Sequence, residues 1–178
     1  MERSAGILLP IFSLPSRYGI GSLGAEARAF AEFLKAAGQR WWQILPVGAT
    51  GAGNSPYTSV STFAGNPLFI DLELLEKGGL LDAEDLKAAE VPEKDRIDYG
   101  ALRENREPLL RKAAARLLVQ NRGAVEAFAK EHKWVADYAL YRAAQTHFGG
   151  LPWDWWPDAD LRRHEAEAVR LWRQSLAE

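Results

Sequence analysis

Asn54, Ser55, Tyr57 and Ser59 crowd into one short stretch, with Pro56 setting the turn among them. A sugar ring presents an apolar C–H face rimmed by hydroxyls. Tyrosine offers a flat plate with a polar tip, and short amide and hydroxyl side chains offer donors and acceptors around it. The same residues also suit a purely structural loop in which Ser and Asn bond the neighbouring backbone. The residue pattern leaves both readings open.

A second candidate is "LPWDWWPDAD", where Trp153, Trp155 and Trp156 are flanked by Asp154, Asp158 and Asp160. It reads as a sugar platform or carboxylate site, or more simply as an aromatic clamp pinning a loop. Most of the seven tryptophans are expected to be core or subdomain anchors, because Trp buries a large area wherever it packs. Glycoside chemistry needs two carboxylates, ~5–5.5 Å apart in retaining enzymes. Asp71 and Asp98 are candidates, yet both fit equally well as helix caps, so no catalytic residue is assigned. His132, His147 and His164 lie far apart without ligand spacing, so a metal site is not expected.

The elements that must position these residues begin with "AGILLP" (5–10), a short apolar run between turn signals that predicts a strand buried on both faces. Leu23, Ala27, Phe30, Phe33, Leu34 and Ala37 recur at helical spacing, with Ser22 as N-cap and Gly38 as the stop, predicting a helix over 23–37. "RWWQILPVG" (40–48) predicts a second strand. Strand, helix, strand with short connections is a parallel βαβ unit. Ligands of such units sit beyond the carboxyl ends of the strands. The loops there are "SLPSRYGIGSLG" and the stretch carrying Asn54 to Ser59.

From residue 72 onward only helical patterns appear. Breaks are expected at Gly78-Gly79 and Gly149-Gly150, caps at Asp82 and Asp98, a kink or boundary at Pro108, and a turn at "NRG" (121–123). The closing stretch "HEAEAVRLWRQSLAE" predicts an amphipathic helix. Two parallel strands leave their sheet edges open, and a parallel barrel takes ~250 residues. The 178 residues therefore read as the opening of a larger α/β protein, truncated, with a helical insertion.

Composition narrows the function classes. A formal net charge of −2 gives no electrostatic reason to expect nucleic acid or an anionic membrane as partner. No apolar run approaches the ~20 residues of a membrane span. The absence of cysteine removes disulfides and thiolate chemistry, and suits a cytoplasmic protein.

Four segments go further: "GILLPIFSLPSRYGIGSLG", "RWWQILPVGATGAGNSPYTSVSTFAGNPLFIDLELL", "IDYGAL" and "DYALYRAAQTHFGGLPWDWWP". In this order and register they closely resemble the 4-α-glucanotransferases called amylomaltases or disproportionating enzymes, family 77 of the glycoside hydrolases. The resemblance implies a (β/α)8 TIM barrel with helical insertions, acting on maltooligosaccharides and other α-1,4-glucans without a cofactor. It implies that residues 1–71 open the barrel (strand, helix, strand), 72–160 form the helical insertion subdomain, and 161–178 lead back towards the rest of the barrel. The family's Asp nucleophile, Glu acid/base and Asp stabiliser lie on later strands, so the fragment is expected to be inactive and to work with the missing C-terminal barrel portion.

What carries over is the donor-side loop. Ser55 and Tyr57 match family positions that contact glucose near the scissile bond. Asn54 stands where the family more often has Asp, removing a charge. Ala52 stands where an aromatic residue is frequent, leaving no ring there for an outer glucan site. Two other classes remain as alternatives: a non-catalytic carbohydrate-binding fragment, and a helical interaction protein working through residues 72–178.

Overall fold

A computed structural model describes residues 3–92 and 95–176 of the chain. Its sheet has two short parallel strands, β1 (Gly6–Leu8) and β2 (Trp41–Gln43), in the register Gly6 to Trp41, Ile7 to Trp42 and Leu8 to Gln43. Gly6 is required by the close approach of the pair, because a Cβ there would lie 2.6 Å from Trp41 Cβ. The strands are shorter than the apolar runs that announced them, and they are not buried on both faces. Ile7, Leu8 and Trp41 stay exposed, since among the described residues no third strand covers them.

Helix α1 (Ala25–Ala36) crosses between the strands. Its stop is a paired Schellman closure around Gly38 (φ 71°), with Gly38 N–H donating to Lys35 O and Gln39 N–H to Leu34 O. Its start differs from expectation. Gly24 is the N-cap, and the Ser22 hydroxyl donates instead to Asp71 Oδ2 at 2.6 Å. Of the expected apolar face, Ala27 and Leu34 are buried and Phe30 packs edge-on against Trp42 at 5.0 Å, whereas Leu23 and Phe33 are exposed.

The remaining elements are helices: α2 (Leu72–Lys77), α3 (Ala83–Ala89), α4 (Tyr99–Glu131), α5 (Trp134–His147), α6 (Ala159–Arg162) and α7 (Ala166–Ser175). The glycine pairs end α2 and α5 as the sequence predicts, with Gly79, Gly149 and Gly150 all left-handed. The Asp98 carboxylate accepts from Ala101 N–H at 3.1 Å and so caps α4. Pro108 does not end α4: it sits on an exposed side of the helix, where the Glu104 carbonyl it leaves unpaired can reach water. The interruption comes at Asn121 (φ −152°, ψ 56°), where a turn was expected, after which the helix resumes. Residues 177–178, the end of the expected last helix, lie outside the described residues. No described helix is long and apolar enough to cross a membrane.

The chain divides into two compact units, residues 1–122 and 123–178. In the first, Ile11, Leu14, Ile20, Ala27, Leu68, Phe69 and Leu102 form one core cluster, and Tyr18, Leu72, Leu81, Leu86, Ala89 and Ala113 another. In the second, Leu140, Ala144, Trp156, Leu161, Ala168 and Val169 pack together. Trp156 is buried, Trp42 and Trp172 are half-buried against core clusters, Trp134 is half-buried, and Trp41, Trp153 and Trp155 are exposed, so the tryptophans divide between anchors and open rings.

Candidate functional site

The segment after β2 is built as a loop stiffened from within. Antiparallel bridges join Gly48 to Gly65 and Thr50 to Ser59, closing its base. Gly51 N–H donates to Thr58 O at 3.0 Å. Inside that frame, Thr58 N–H donates to Ser55 O at 3.2 Å, a turn with Pro56 at its second position, where proline's fixed φ fits. The loop ends at Asn66, whose side chain accepts from Leu68 N–H at 3.0 Å and starts a 3-10 turn over Pro67–Phe69.

The sequence-predicted residues take different parts in this loop. Ser55, Pro56 and Tyr57 share one turn. Tyr57 is 72% exposed, an aromatic plate left open to solvent. Ser55 Oγ accepts from Tyr57 N–H at 3.3 Å, which leaves its own proton available. Ser59 is committed to the loop itself: its Oγ lies 2.6 Å from Ser61 O and 3.0 Å from Ala49 O, and it accepts from Ser61 N–H. Asn54 adopts a left-handed backbone (φ 56°) directly after Gly53 (φ 79°), and its Oδ1 accepts from an Arg103 Nη of α4. The side chain of Ala52, singled out for the outer glucan site, lies outside what is described.

Asp71 proves to be an architectural carboxylate. It is 7% exposed, caps α2 by accepting from Leu74 N–H at 2.9 Å, and receives the Ser22 hydroxyl. Beside it Arg106, 2% exposed, donates to Ile70 O at 3.3 Å and lies over the Tyr18 ring at 5.6 Å. Burial pushes the Arg106 pKa down, opposed by the charge of Asp71 and by Tyr18. This cluster joins the loop after β1, the end of the loop after β2, and α4. Sequence patterning gave no sign of it, because its members are 49 residues apart (Ser22 to Asp71) and 88 apart (Tyr18 to Arg106).

A cavity of about 610 Å³ opens elsewhere in the same unit, lined by the loop after β1 (Ser13, Ser16) and by the start of α4 (Asp98, Tyr99). Burial raises the Tyr99 pKa. No described residue of the Gly51–Pro67 loop lines it. The tryptophan-rich stretch in the second unit behaves mainly as a clamp. Trp156 packs on Tyr141 and Phe148 and donates to Leu151 O at 3.1 Å. Asp158 caps α6 and accepts from Trp172 Nε1 at 2.7 Å, a bond that holds its carboxyl below the usual range. Trp153 and Trp155 remain exposed. Among the described residues no three His, Asp or Glu side chains gather to hold a metal.

A parallel strand pair joined by a crossover helix, in a chain that is otherwise mainly helical, defines the class: an α/β protein. The comparisons give the particular family. The family model described as 4-alpha-glucanotransferase matches residues 9–178. A 4-alpha-glucanotransferase of Streptococcus pneumoniae is 44% identical over 180 residues, covering 99% of this chain and 36% of the relative. One from Thermus thermophilus is 45% identical over 183 residues, covering 100% and 36%. The amylomaltase from Streptococcus agalactiae in complex with acarbose superposes with a TM-score of 0.93 at 39% identity, over 99% of this chain and 36% of that one. The chain belongs to the 4-alpha-glucanotransferase family, and it spans about a third of the length of the relatives it matches.

Proposed function

We propose that this chain is the N-terminal part of a 4-α-glucanotransferase, supplying a donor-side sugar-binding loop to a retaining enzyme that moves α-1,4-glucan segments between maltooligosaccharides. The observation that carries the reading is Tyr57, an exposed ring on an internally bonded turn after β2, in a chain of this family. Tyr57 and Ser55 orient the donor glucose, Pro56 and Ser59 hold the turn, and Asn54 fixes its tip. Residues 1–71 open a (β/α)8 barrel, 72–160 form its helical insertion, and 161–178 lead back to the barrel. The exposed faces of Ile7, Leu8 and Trp41 are the surface that further barrel strands would cover. We assign the protein to the cytoplasm, which a cysteine-free chain fits.

In the complete enzyme a carboxylate on a later strand attacks the anomeric carbon, and a carboxylic acid protonates the departing glucan oxygen. The 4-hydroxyl of an incoming sugar then displaces the carboxylate while the same acid/base takes its proton. Transfer outruns hydrolysis when the acceptor side positions sugar better than water. The 178 residues alone should leave maltotriose unchanged. Release of glucose with longer oligosaccharides by the purified chain would overturn the division of labour. In a longer chain carrying this sequence, Tyr57→Ala should raise KM for the donor and lower kcat/KM about tenfold or more. Unchanged kinetics would remove Tyr57 from the site.

A further inference from the structure

The tip of the loop after β2 is held in an unusual way. Gly53 and Asn54 are left-handed in succession (φ 79° and 56°). Glycine takes that region freely, whereas Asn54 carries a modest steric cost there that an added contact can offset. Within the loop, Asn54 N–H donates to Gly51 O at 3.3 Å. The outside contact comes from Arg103, whose Nη donates to Asn54 Oδ1 while its guanidinium lies 5.9 Å from the Tyr99 ring centroid. A guanidinium has donors only, so it must face the carbonyl oxygen of the amide, which orients the Asn54 side chain uniquely. Arg103 stands one turn after the Asp98 cap, close to the fixed start of α4. Its stem therefore springs from a rigid base and reaches a loop 49 residues away in sequence.

We propose that Arg103 is the positioning residue for the donor-side loop: it latches the loop tip to α4 through Asn54 and so sets where the Ser55–Pro56–Tyr57 turn stands. The inference rests on the proposed function only for what that turn holds. The latch itself is a property of this chain. A neutral amide in the tip makes it an ion-to-dipole contact, less sensitive to salt than a charge pair and weaker. The helical part of the chain thus has a direct grip on the sugar-facing part.

The test is amide exchange, read by NMR residue by residue on the 178-residue chain. Arg103→Met keeps a long unbranched side chain and removes the donors that reach Asn54 Oδ1. The amides of Gly51 and Thr58 should then exchange about five to ten times faster, a factor suited to one charge-assisted hydrogen bond at a partly exposed site. Arg103→Lys keeps a donor and should restore most of the protection. Asn54→Asp should slow exchange at these amides at low salt, and the gain should disappear at high salt. Leu102 N–H, bonded to Asp98 O at 3.0 Å, reports on the start of α4. The latch is refuted if Arg103→Met leaves Gly51 and Thr58 unchanged. Equal acceleration at Leu102 refutes it too, since Arg103 would then merely stabilise the helix. Neither result bears on whether Tyr57 binds sugar, which maltooligosaccharide kinetics decide separately.

Discussion

Gly24→Ala should destabilise the first unit far more than a single methyl group suggests. A Cβ at residue 24 would lie 1.9 Å from Asp71 Oδ2 and 2.4 Å from Asp71 Cγ, so the carboxylate must leave its place. Leaving breaks two contacts: the Ser22 hydroxyl to Oδ2 at 2.6 Å, and Leu74 N–H to Oδ1 at 2.9 Å. The first is a buried hydrogen bond to a carboxylate, about 1.5–3 kcal/mol. The second is an N-cap, about 1 kcal/mol. Together they amount to roughly 3 kcal/mol, a large share of the ~5–15 kcal/mol that keeps a domain folded. Urea denaturation should register the loss as a midpoint lowered by roughly 1–3 M. Gly123→Ala, where no atom lies within 4 Å of the added Cβ, should instead be neutral or stabilising by up to about 1 kcal/mol. Ser22→Ala should cost much less in the Gly24→Ala background than alone, because the partner has already moved. A Gly24→Ala chain within about 0.5 kcal/mol of the parent, or full additivity with Ser22→Ala, would refute the reasoning.

Two further expectations concern pH and the second unit. Hydrogen bonds from Arg116 and then Lys112 hold the Asp82 carboxyl well below its ordinary value, and Lys112 does the same for Asp85. Their contribution is complete above the unfolded carboxylate pKa of about 4 and fades as pH falls through the depressed folded value. The gap in melting temperature between the parent and Asp82→Asn should therefore narrow below about pH 4; a gap constant from pH 7 to pH 2 would contradict this. In the second unit, Trp156→Ala should cost about 3–5 kcal/mol and Trp155→Ala less than about 0.5 kcal/mol, since one ring is 4% exposed and the other 69%. Equal losses in chemical denaturation would show that burial does not decide the difference.

Local chemistry made much of this fold readable. The glycine stops of α1, α2 and α5, and the caps at Asp71, Asp82 and Asp98, depend on neighbours within a few residues, and each stands where sequence put a cap or a break. What escaped were pairings across long sequence separations. Ser22 looked like a helix cap and instead serves Asp71. Nothing in the residue pattern singled out Arg103 or Arg106, yet one grips Asn54 and the other is buried over Tyr18. Apolar runs also overstated burial: "AGILLP" and "RWWQILPVG" mark strands, but periodicity cannot say whether neighbouring strands exist to cover them. At the candidate loop, residue types alone could not tell which hydroxyls are tied up by the loop backbone. Ser55 and Ser59 look alike in sequence, and only the bonds of Ser59 to Ala49 and Ser61 distinguish them.

The two-stranded sheet carries one more consequence. β1 and β2 pair with each other and with no third strand among the described residues, and Leu8 and Trp41 stand exposed beside them. Unpaired backbone donors and acceptors next to apolar side chains form a template for any extended segment, whichever molecule it comes from. A strand from the same polypeptide reaches that template at a high effective concentration, so it normally wins over a strand from another molecule. Left without such a neighbour, this edge would favour encounters between copies, and its colloidal behaviour would worsen steeply with concentration. Covering the sheet thus protects the protein from itself.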